Sequence, residues 1–172
     1  MYERDGLTMR AVERRDLEPL RLMHNHPSTL GVLTDTTFVT PAMQEKWFES
    51  LGGGGSRRYV VEDAEGLVAM VRIDGLDTRN GNACIGLDVM VERRGRGLGT
   101  RCFRLLLRYC FEELRLHMTW LLTAEFNNPA RHMYEKLGFV QAGRLPQSLY
   151  RDGRYWDLLL MALTKSDWTE PG

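Results

Sequence analysis

The sequence predicts a single α+β domain spanning residues 1–172. Short segments that alternate apolar and polar residues indicate strands, and longer segments with apolar residues at helical spacing indicate helices. Their order is strand, two helices, three antiparallel strands, helix, strand, helix and two strands, with no internal repeat. A chain of 172 residues, 43% of them hydrophobic, is large enough to bury one core.

Turn-forming residues separate the predicted strands. Ala64-Glu65-Gly66 and Asp152-Gly153 each read as a hairpin turn, and Asn80-Gly81-Asn82 marks a further turn. The segment 118–124 is apolar almost throughout, as expected of a buried central strand. The seven predicted strands are residues 7–12, 58–63, 67–73, 83–91, 118–124, 141–150 and 155–163.

Start and stop signals frame the predicted helices. Asp16 caps the first, Thr40-Pro41 opens the second, and Gly138 ends the fourth. Residues 25–40 are predicted to be irregular with at most one short helical turn, and glycines 52–55 to form a mobile surface loop. The predicted helices are residues 17–23, 41–51, 98–116 and 128–137.

Composition argues against several classes of protein. Lys+Arg 23 balances Asp+Glu 23, so the chain lacks the basic excess of a nucleic-acid binder. The charged N-terminus and the short apolar runs predict no signal peptide and no membrane span, hence a cytoplasmic protein. Cys84, Cys102 and Cys110 form no paired spacing, and His24 and His26 lack a third ligand, so no disulfide framework and no metal site are expected.

The strongest local signal is the turn between the fourth predicted strand and the helix that begins at Leu98. Gly95, Gly97 and Gly99 leave backbone amides open, and the positive end of the helix points at the turn, which suits a phosphate or diphosphate. A Walker loop is excluded because no Gly-Lys-Ser/Thr follows, and a dinucleotide fold because Glu113, at the expected acidic position, falls inside the helix.

Two elements then resemble the GNAT superfamily of acyl-coenzyme A N-acyltransferases. Arg94-x-x-Gly97-x-Gly99 matches its Q/R-x-x-G-x-G/A element, and the segment Asn127 to Phe139 matches its second coenzyme A element. The tail from Tyr150 to Asp157 resembles the ribosomal-protein (RimJ/RimL) and spermidine acetyltransferase branch. The resemblance implies a mixed, mostly antiparallel seven-stranded α/β sheet, with helices on both faces and splayed fourth and fifth strands.

The resemblance also implies acetyl-coenzyme A as co-substrate, held between the splayed strands. Backbone groups of the fourth strand would bind the pantetheine arm, amides of the glycine turn would wrap the diphosphate, and Asn127 would contact the arm. The amide of Met90 would stabilise the tetrahedral oxyanion. The predicted cofactor-binding residues are Val89, Met90, Val91, Arg94, Gly95, Arg96, Gly97, Leu98, Gly99, Thr100 and Asn127.

Three residues are candidates for proton transfer. Tyr134 stands at the family's acid position, where a phenol could return a proton to the departing thiolate. Asp88 and Glu125, at the fourth and fifth strands, are candidate bases for the attacking amine, acting directly or through water. No cysteine stands in a nucleophile motif, so direct transfer in a ternary complex is expected.

The acceptor is predicted to be a primary amine of unresolved class: a protein N-terminus, a polyamine, an amino sugar or an antibiotic. Between His24 and Gly55 the acids are Asp35, Glu45 and Glu49, thin support for a polyamine. Transfer of a longer acyl group and a coenzyme A-binding regulatory module without turnover remain alternatives. The resemblance leaves a homodimer open.

Overall fold

The computed structural model describes residues 1–52 and 55–169, and it contains one eight-stranded sheet in the order β1-β2-β3-β4-β5-β6-β8-β7. All neighbouring strands are antiparallel except β5 and β6, which are parallel. The strands are β1 (Tyr2–Arg4), β2 (Leu7–Ala11), β3 (Arg57–Asp63), β4 (Gly66–Asp77), β5 (Asn82–Val89), β6 (Met118–Ala124), β7 (Val140–Arg151) and β8 (Arg154–Thr164).

The eighth strand is β1, which was not predicted from the sequence. It pairs with β2 through a tight turn at Asp5 and Gly6, both with positive φ. Three residues with two charges show no alternation, so only the pairing with β2 makes this segment a strand. The fourth and fifth predicted strands are therefore β5 and β6.

The helices begin and end close to the predicted positions. Thr40 Oγ1 accepts the Met43 amide at 3.3 Å, which confirms the predicted cap, and the long helix continues after Arg108 as a π-helix over Tyr109–Glu113. Asp16 makes no capping bond to α1; its carboxylate instead pairs with Arg10 at 2.7 Å and accepts the Glu13 amide at 2.8 Å. The α-helices are α1 (Leu17–Asn25), α2 (Pro27–Leu30), α3 (Pro41–Glu49), α4 (Leu98–Arg108) and α5 (Asn128–Lys136). Of the predicted glycine loop, Gly53 and Gly54 lie outside the described residues.

Helices cover both faces of the sheet, as expected. The larger core joins α4 and α5 to one face, with Phe103, Leu106 and Val61 fully buried. The smaller core joins α1 and α3 to the other face, around Val60. Because Val60 and Val61 are neighbours on β3, the alternation of a strand sends them to opposite cores.

The parallel pair β5–β6 separates after three residue pairs. Asn82, Ala83 and Cys84 pair with residues 118–120, and beyond Cys84 no β5 residue pairs with β6. From there β6 stays bonded to β8 and β5 to β4. A wedge-shaped gap therefore opens inside the sheet, as predicted for these two strands, and it positions the candidate site.

Candidate active site

The gap exposes backbone groups of β5. In the antiparallel pair β4–β5, the Met90 amide donates to the Val68 carbonyl at 2.9 Å, and Asp88 stands opposite Met70. Hydrogen-bonded and non-bonded pairs alternate along such a ladder, so Leu87 and Val89 direct their amides and carbonyls away from β4. These groups face the gap, where an amide-containing chain could pair with them as a strand would.

The predicted role of the Met90 amide as oxyanion donor is wrong. That amide is bonded to Val68, and the Met90 side chain is buried in the smaller core, 6% exposed. The register leaves the Val89 amide, one residue earlier, as the β5 donor nearest the strand end that faces the gap. The error arose because the alignment of β4 and β5 decides which alternate residues of β5 hydrogen-bond to β4, and the sequence does not reveal that alignment.

The glycine turn leads from the gap into α4. Gly95 and Gly97 have φ of +77° and +73°, a region that L side chains rarely adopt, and Gly97 is the N-cap of α4. The Arg101 amide makes the cap bond to the Gly97 carbonyl at 3.3 Å, so the preceding amides of the first turn have no intrahelical partner. The turn therefore presents open amides and the positive end of a helix dipole.

The Arg94 guanidinium lies at the rim of the turn, where it joins three parts of the site. It donates to the Val89 carbonyl at 3.1 Å, to Ser28 Oγ at 2.7 Å and to Thr29 Oγ1 at 2.7 Å. These bonds link the end of β5 and the turn to α2, which is 65 residues away along the chain. Arg94 is thus held by the protein, whereas Arg96 is largely exposed beside Glu65 at 3.4 Å.

A cavity of about 620 Å³ extends along the gap to the turn. Its lining contains seven of the predicted cofactor residues: Val89, Arg94, Gly95, Gly97, Gly99, Thr100 and Asn127. The other four, Met90, Val91, Arg96 and Leu98, are not in the lining. Sequence reasoning missed Leu87, Arg72, Thr29 and Met133, which do line it; the alternation of β5 could have identified Leu87.

Asn127 lines the cavity at the start of α5. Its side chain makes no capping hydrogen bond, although it occupies the N-cap position. Asn128, the competing candidate for that role, instead receives Arg131 at 3.4 Å. The side-chain amide of Asn127 therefore has no partner among the described residues and can bind a ligand in the gap.

Tyr134 projects from α5 into the same cavity and is 9% exposed. Its ring packs against Phe103 and Phe139, with centroids 5.3 and 5.9 Å away. Burial raises the pKa of Tyr134 to about 12, an effect that Arg72 opposes and that Asp88 and Cys84 reinforce. The hydroxyl makes no hydrogen bond to the described residues. At neutral pH it is protonated, and it lies in the cavity.

Asp88 lies where the large cavity meets a smaller one of about 250 Å³. One of its carboxylate oxygens, Oδ2, accepts from Arg72 at 2.7 Å. Arg72 in turn lies against Gly86, where an added Cβ would stand 2.4 Å from the guanidinium carbon. Gly86 therefore makes room for the cation that holds Asp88 in place.

Glu125 is not brought to the gap. Its carboxylate lies 3.5 Å from Arg144 and accepts the Asp157 amide at 3.4 Å, and it lines neither cavity. Where β6 ends, the chain bonds to β8 through Asp157, so the side chain of Glu125 stays on that side of the sheet. The structure thus unites Tyr134 and Asp88 and leaves Glu125 outside the candidate site.

The three cysteines differ in their position relative to this site. Cys102 and Cys110 are fully buried, and Cys84 lines the cavity with its pKa raised by burial. Across residues 1–52 and 55–169, no cluster of three or more His, Cys, Asp or Glu side chains could hold a metal ion. Within the same residues, no helix has the length and hydropathy needed to span a membrane.

The gap, the glycine turn and the proton-bearing phenol fit a thioester of coenzyme A: β5 offers strand-like bonds to its amide arm, and the start of α4 offers amides to its diphosphate. A profile of the acetyltransferase (GNAT) domain matches residues 6–140. Spermidine N(1)-acetyltransferase of Vibrio cholerae is 29% identical over 93% of this chain and 94% of that protein. The Escherichia coli K12 enzyme of the same name is 29% identical over 92% of this chain and 86% of that protein.

The fold comparison agrees. The crystal structure of spermidine N-acetyltransferase from Vibrio cholerae in complex with CoA and spermine has a TM-score of 0.89 at 28% identity, over 95% of this chain and 98% of that one. The site thus defines an acyltransferase that uses acetyl-coenzyme A as co-substrate. The chain belongs to the GNAT acetyltransferase family, and it is an N-acetyltransferase that acts on amines.

Proposed function

We propose that this enzyme transfers acetyl directly from acetyl-coenzyme A to a primary amine in a ternary complex, with Tyr134 and Asp88 handling the protons. The observation that carries the proposal is that both side chains line one cavity with the glycine turn and the open edge of β5. Asp88 also lines the adjoining smaller cavity, which gives an acceptor amine a place beside it.

Direct transfer is favoured by the state of the thiols. A covalent intermediate on a cysteine needs the thiolate form of the side chain. Cys84 lines the cavity, but burial raises its pKa, so it remains a protonated thiol at neutral pH. This disfavours a cysteine-bound acetyl intermediate and favours attack on the acetyl carbon by the amine nitrogen itself.

The reaction releases one proton overall: an ammonium acceptor loses one proton to solvent before attack and a second during transfer, and the thiolate gains one. Acetyl-coenzyme A supplies an activated acetyl group: as the nitrogen–carbon bond forms, the carbon–sulfur bond breaks and the sulfur takes the electron pair. The amine loses a proton toward Asp88, whose second oxygen makes no hydrogen bond to the described residues, or toward water beside it. Tyr134 Oη gives its proton to the sulfur.

The environment of Tyr134 decides whether this proton transfer is feasible. A phenol with a pKa of about 12 is a weaker acid than a thiol in water, which has a pKa of roughly 8.5. The sulfur, however, would develop its charge in the same apolar cavity, and burial raises the pKa of a thiol as it raises that of a phenol. Burial therefore brings the pKa of the thiol closer to that of the phenol. The oxyanion of the tetrahedral intermediate is a separate charge, and the Val89 amide is its proposed hydrogen-bond donor.

The test is Tyr134→Phe, which keeps the ring contacts with Phe103 and Phe139 and removes only the hydroxyl. We expect kcat to fall on the order of a hundredfold, with acetyl-coenzyme A affinity and thermal stability near those of the wild type. Release of free thiol in the presence of an amine measures turnover. Tyr155→Phe, on the exposed end of β8, is the matched control.

Two outcomes would contradict the proposal. Unchanged turnover of Tyr134→Phe at every pH would remove the acid role. Binding of acetyl-coenzyme A without thiol release for any amine would point instead to a regulatory module. Parallel assays with butyryl-coenzyme A separate acetyl transfer from transfer of longer acyl groups.

A further inference from the structure

The smaller cavity adjoins the coenzyme cavity and shares Thr29, Leu33 and Asp88 with it. A molecule in the smaller cavity can therefore place an amine beside Asp88 and present it to the acetyl group. Treating this cavity as the acceptor site rests on the proposed function, because only an amine acceptor needs a place beside Asp88. Its volume of about 250 Å³ is below the range of pockets for drug-sized ligands, so it suits one small substituent.

The lining of this cavity is mainly apolar. Met23, Met43, Trp47 and Met70 contribute to its walls. Among its described lining residues Asp88 bears the one carboxylate, and that carboxylate already pairs with Arg72 at 2.7 Å.

Nearby acids do not supply the missing charge. Glu18 pairs with Arg21 at 2.7 Å and Glu45 with Arg14 at 2.7 Å. Asp35 accepts the Thr37 amide at 2.9 Å from an exposed position. None of the three lines the cavity.

A polyamine fits this lining poorly. Each ammonium group beyond the reacting one would have to leave water, and a buried charge without a partner costs several kcal/mol. An uncharged hydrocarbon substituent, in contrast, gains about 0.8 kcal/mol for each methylene that it buries. The walls therefore favour an acceptor with a single positive charge.

Gln44 adds a neutral polar group to this wall. It lines the cavity from α3, is 8% exposed, and its side-chain amide has no hydrogen-bond partner among the described residues, so it is open to a partner in the cavity. A neutral polar group on the acceptor, such as a carboxamide or peptide group next to the amine, would supply one.

We infer that the acceptor is a primary amine with one positive charge, an uncharged apolar substituent seated against Met23, Met43, Trp47 and Met70, and a neutral polar group that binds Gln44. The α-amine of an apolar amino-acid amide and that of a peptide with an apolar first residue share this chemistry.

The test compares acceptors that differ in one feature. L-Norleucinamide and L-lysinamide have the same α-amine and similar side-chain length, but only the second carries a terminal charge. We expect kcat/KM for norleucinamide to exceed that for lysinamide, glycinamide and spermidine at least tenfold. Comparing kcat/KM for norleucyl-glycinamide with that for norleucinamide distinguishes a peptide N-terminus from an amino-acid amide as the preferred acceptor. Equal or better turnover of lysinamide or spermidine would overturn the inference.

Variants of the cavity wall then test whether these residues determine the preference for an uncharged side chain. Met43 lines the cavity and is 43% exposed, so Met43→Glu adds a carboxylate without burying it fully. We expect Met43→Glu to shift the lysinamide-to-norleucinamide ratio about fivefold toward lysinamide, and Met43→Gln to shift it less than about twofold. Gln44→Leu should raise KM for norleucinamide with little effect on acetyl-coenzyme A. Identical ratios for Met43→Glu and Met43→Gln would contradict the assignment of this wall.

A binding measurement keeps this inference separate from the proposed function. Norleucinamide is titrated calorimetrically into the wild-type protein saturated with coenzyme A. Binding without turnover would mean that the proposed reaction is wrong and the assignment of the cavity right. Absence of both binding and turnover for every apolar amine would overturn the assignment of the cavity.

Discussion

Gly97 offers the sharpest test of the diphosphate site, because a charge can be placed there with small cost to the fold. Its φ is +73°, and a Cβ built on it meets no atom within 4 Å. Asn and Asp tolerate this conformation best among residues with a side chain, at a cost of about 1 kcal/mol. For a chain of 172 residues that cost lowers Tm by about 2–4 °C.

The effect on binding is much larger for Gly97→Asp than for Gly97→Asn. Two unit charges about 6 Å apart near a protein surface repel by about 3 kcal/mol, which corresponds to roughly a hundredfold in Kd. The carboxylate would also cap α4 and occupy the amides that the diphosphate needs. Gly97→Asp should therefore bind acetyl-coenzyme A far more weakly than Gly97→Asn, although the two variants are similarly stable.

Gly153→Asp is the matched control, since Gly153 has φ of +79°, no atom within 4 Å of a Cβ, and no place in either cavity. Calorimetric titration with acetyl-coenzyme A gives Kd, and thermal unfolding gives the cost to the fold. High salt screens the charge repulsion and should therefore reduce the difference in Kd between Gly97→Asp and Gly97→Asn. The diphosphate assignment fails if these two variants bind within twofold of each other, or if Gly153→Asp weakens binding as much.

Two further predictions concern Arg94 and the buried thiols. Thr29→Val removes the buried hydrogen-bond acceptor of Arg94 with little change of side-chain shape. We expect it to raise KM for both substrates and to lower Tm by a few degrees, more than Ser28→Ala does. Equal effects of the two variants would show that the buried bond contributes no more than the exposed one. Burial raises the pKa of Cys110 from 9.0 to about 12, so above pH 9 the unfolded chain loses a proton that the folded chain keeps. The free energy of unfolding should therefore fall as pH rises above 9, by up to about 1.4 kcal/mol per pH unit for this thiol. Urea unfolding measured at several pH values should show a smaller fall for Cys110→Ser than for the wild type. The same dependence on pH in both proteins would contradict the raised pKa of Cys110.

Much of the site could be predicted because its signals are local. Glycine spacing before a helix indicates an open turn within a few residues, and Gly95 and Gly97 adopt there the positive φ that glycine permits. The motif from Asn127 to Phe139 likewise placed Tyr134 on a helix, and the structure shows it facing the cavity. In both segments the residues that determine the local structure are the residues that adopt it.

The errors concern partners that are distant along the chain. Whether the Met90 amide is free depends on its bond to Val68, 22 positions earlier, and Glu125 is held away by Asp157, 32 positions later. The prediction that Arg94 binds the cofactor also did not reveal that its guanidinium bonds to α2. A local pattern cannot reveal such contacts, because a strand presents the same residues whichever register its neighbour adopts.

By itself, the sequence determined the order of strands and helices from β2 onward, the glycine turn and the family, since periodicity, caps and short motifs depend on neighbouring residues. Tertiary structure alone decided which β5 amides face the gap and that Arg94 joins the turn to α2. It also decided that a mainly apolar cavity, whose described lining has Asp88 as its one carboxylate, adjoins the coenzyme cavity. These features arise where separate elements meet, and the alignment and packing of the whole sheet set that geometry.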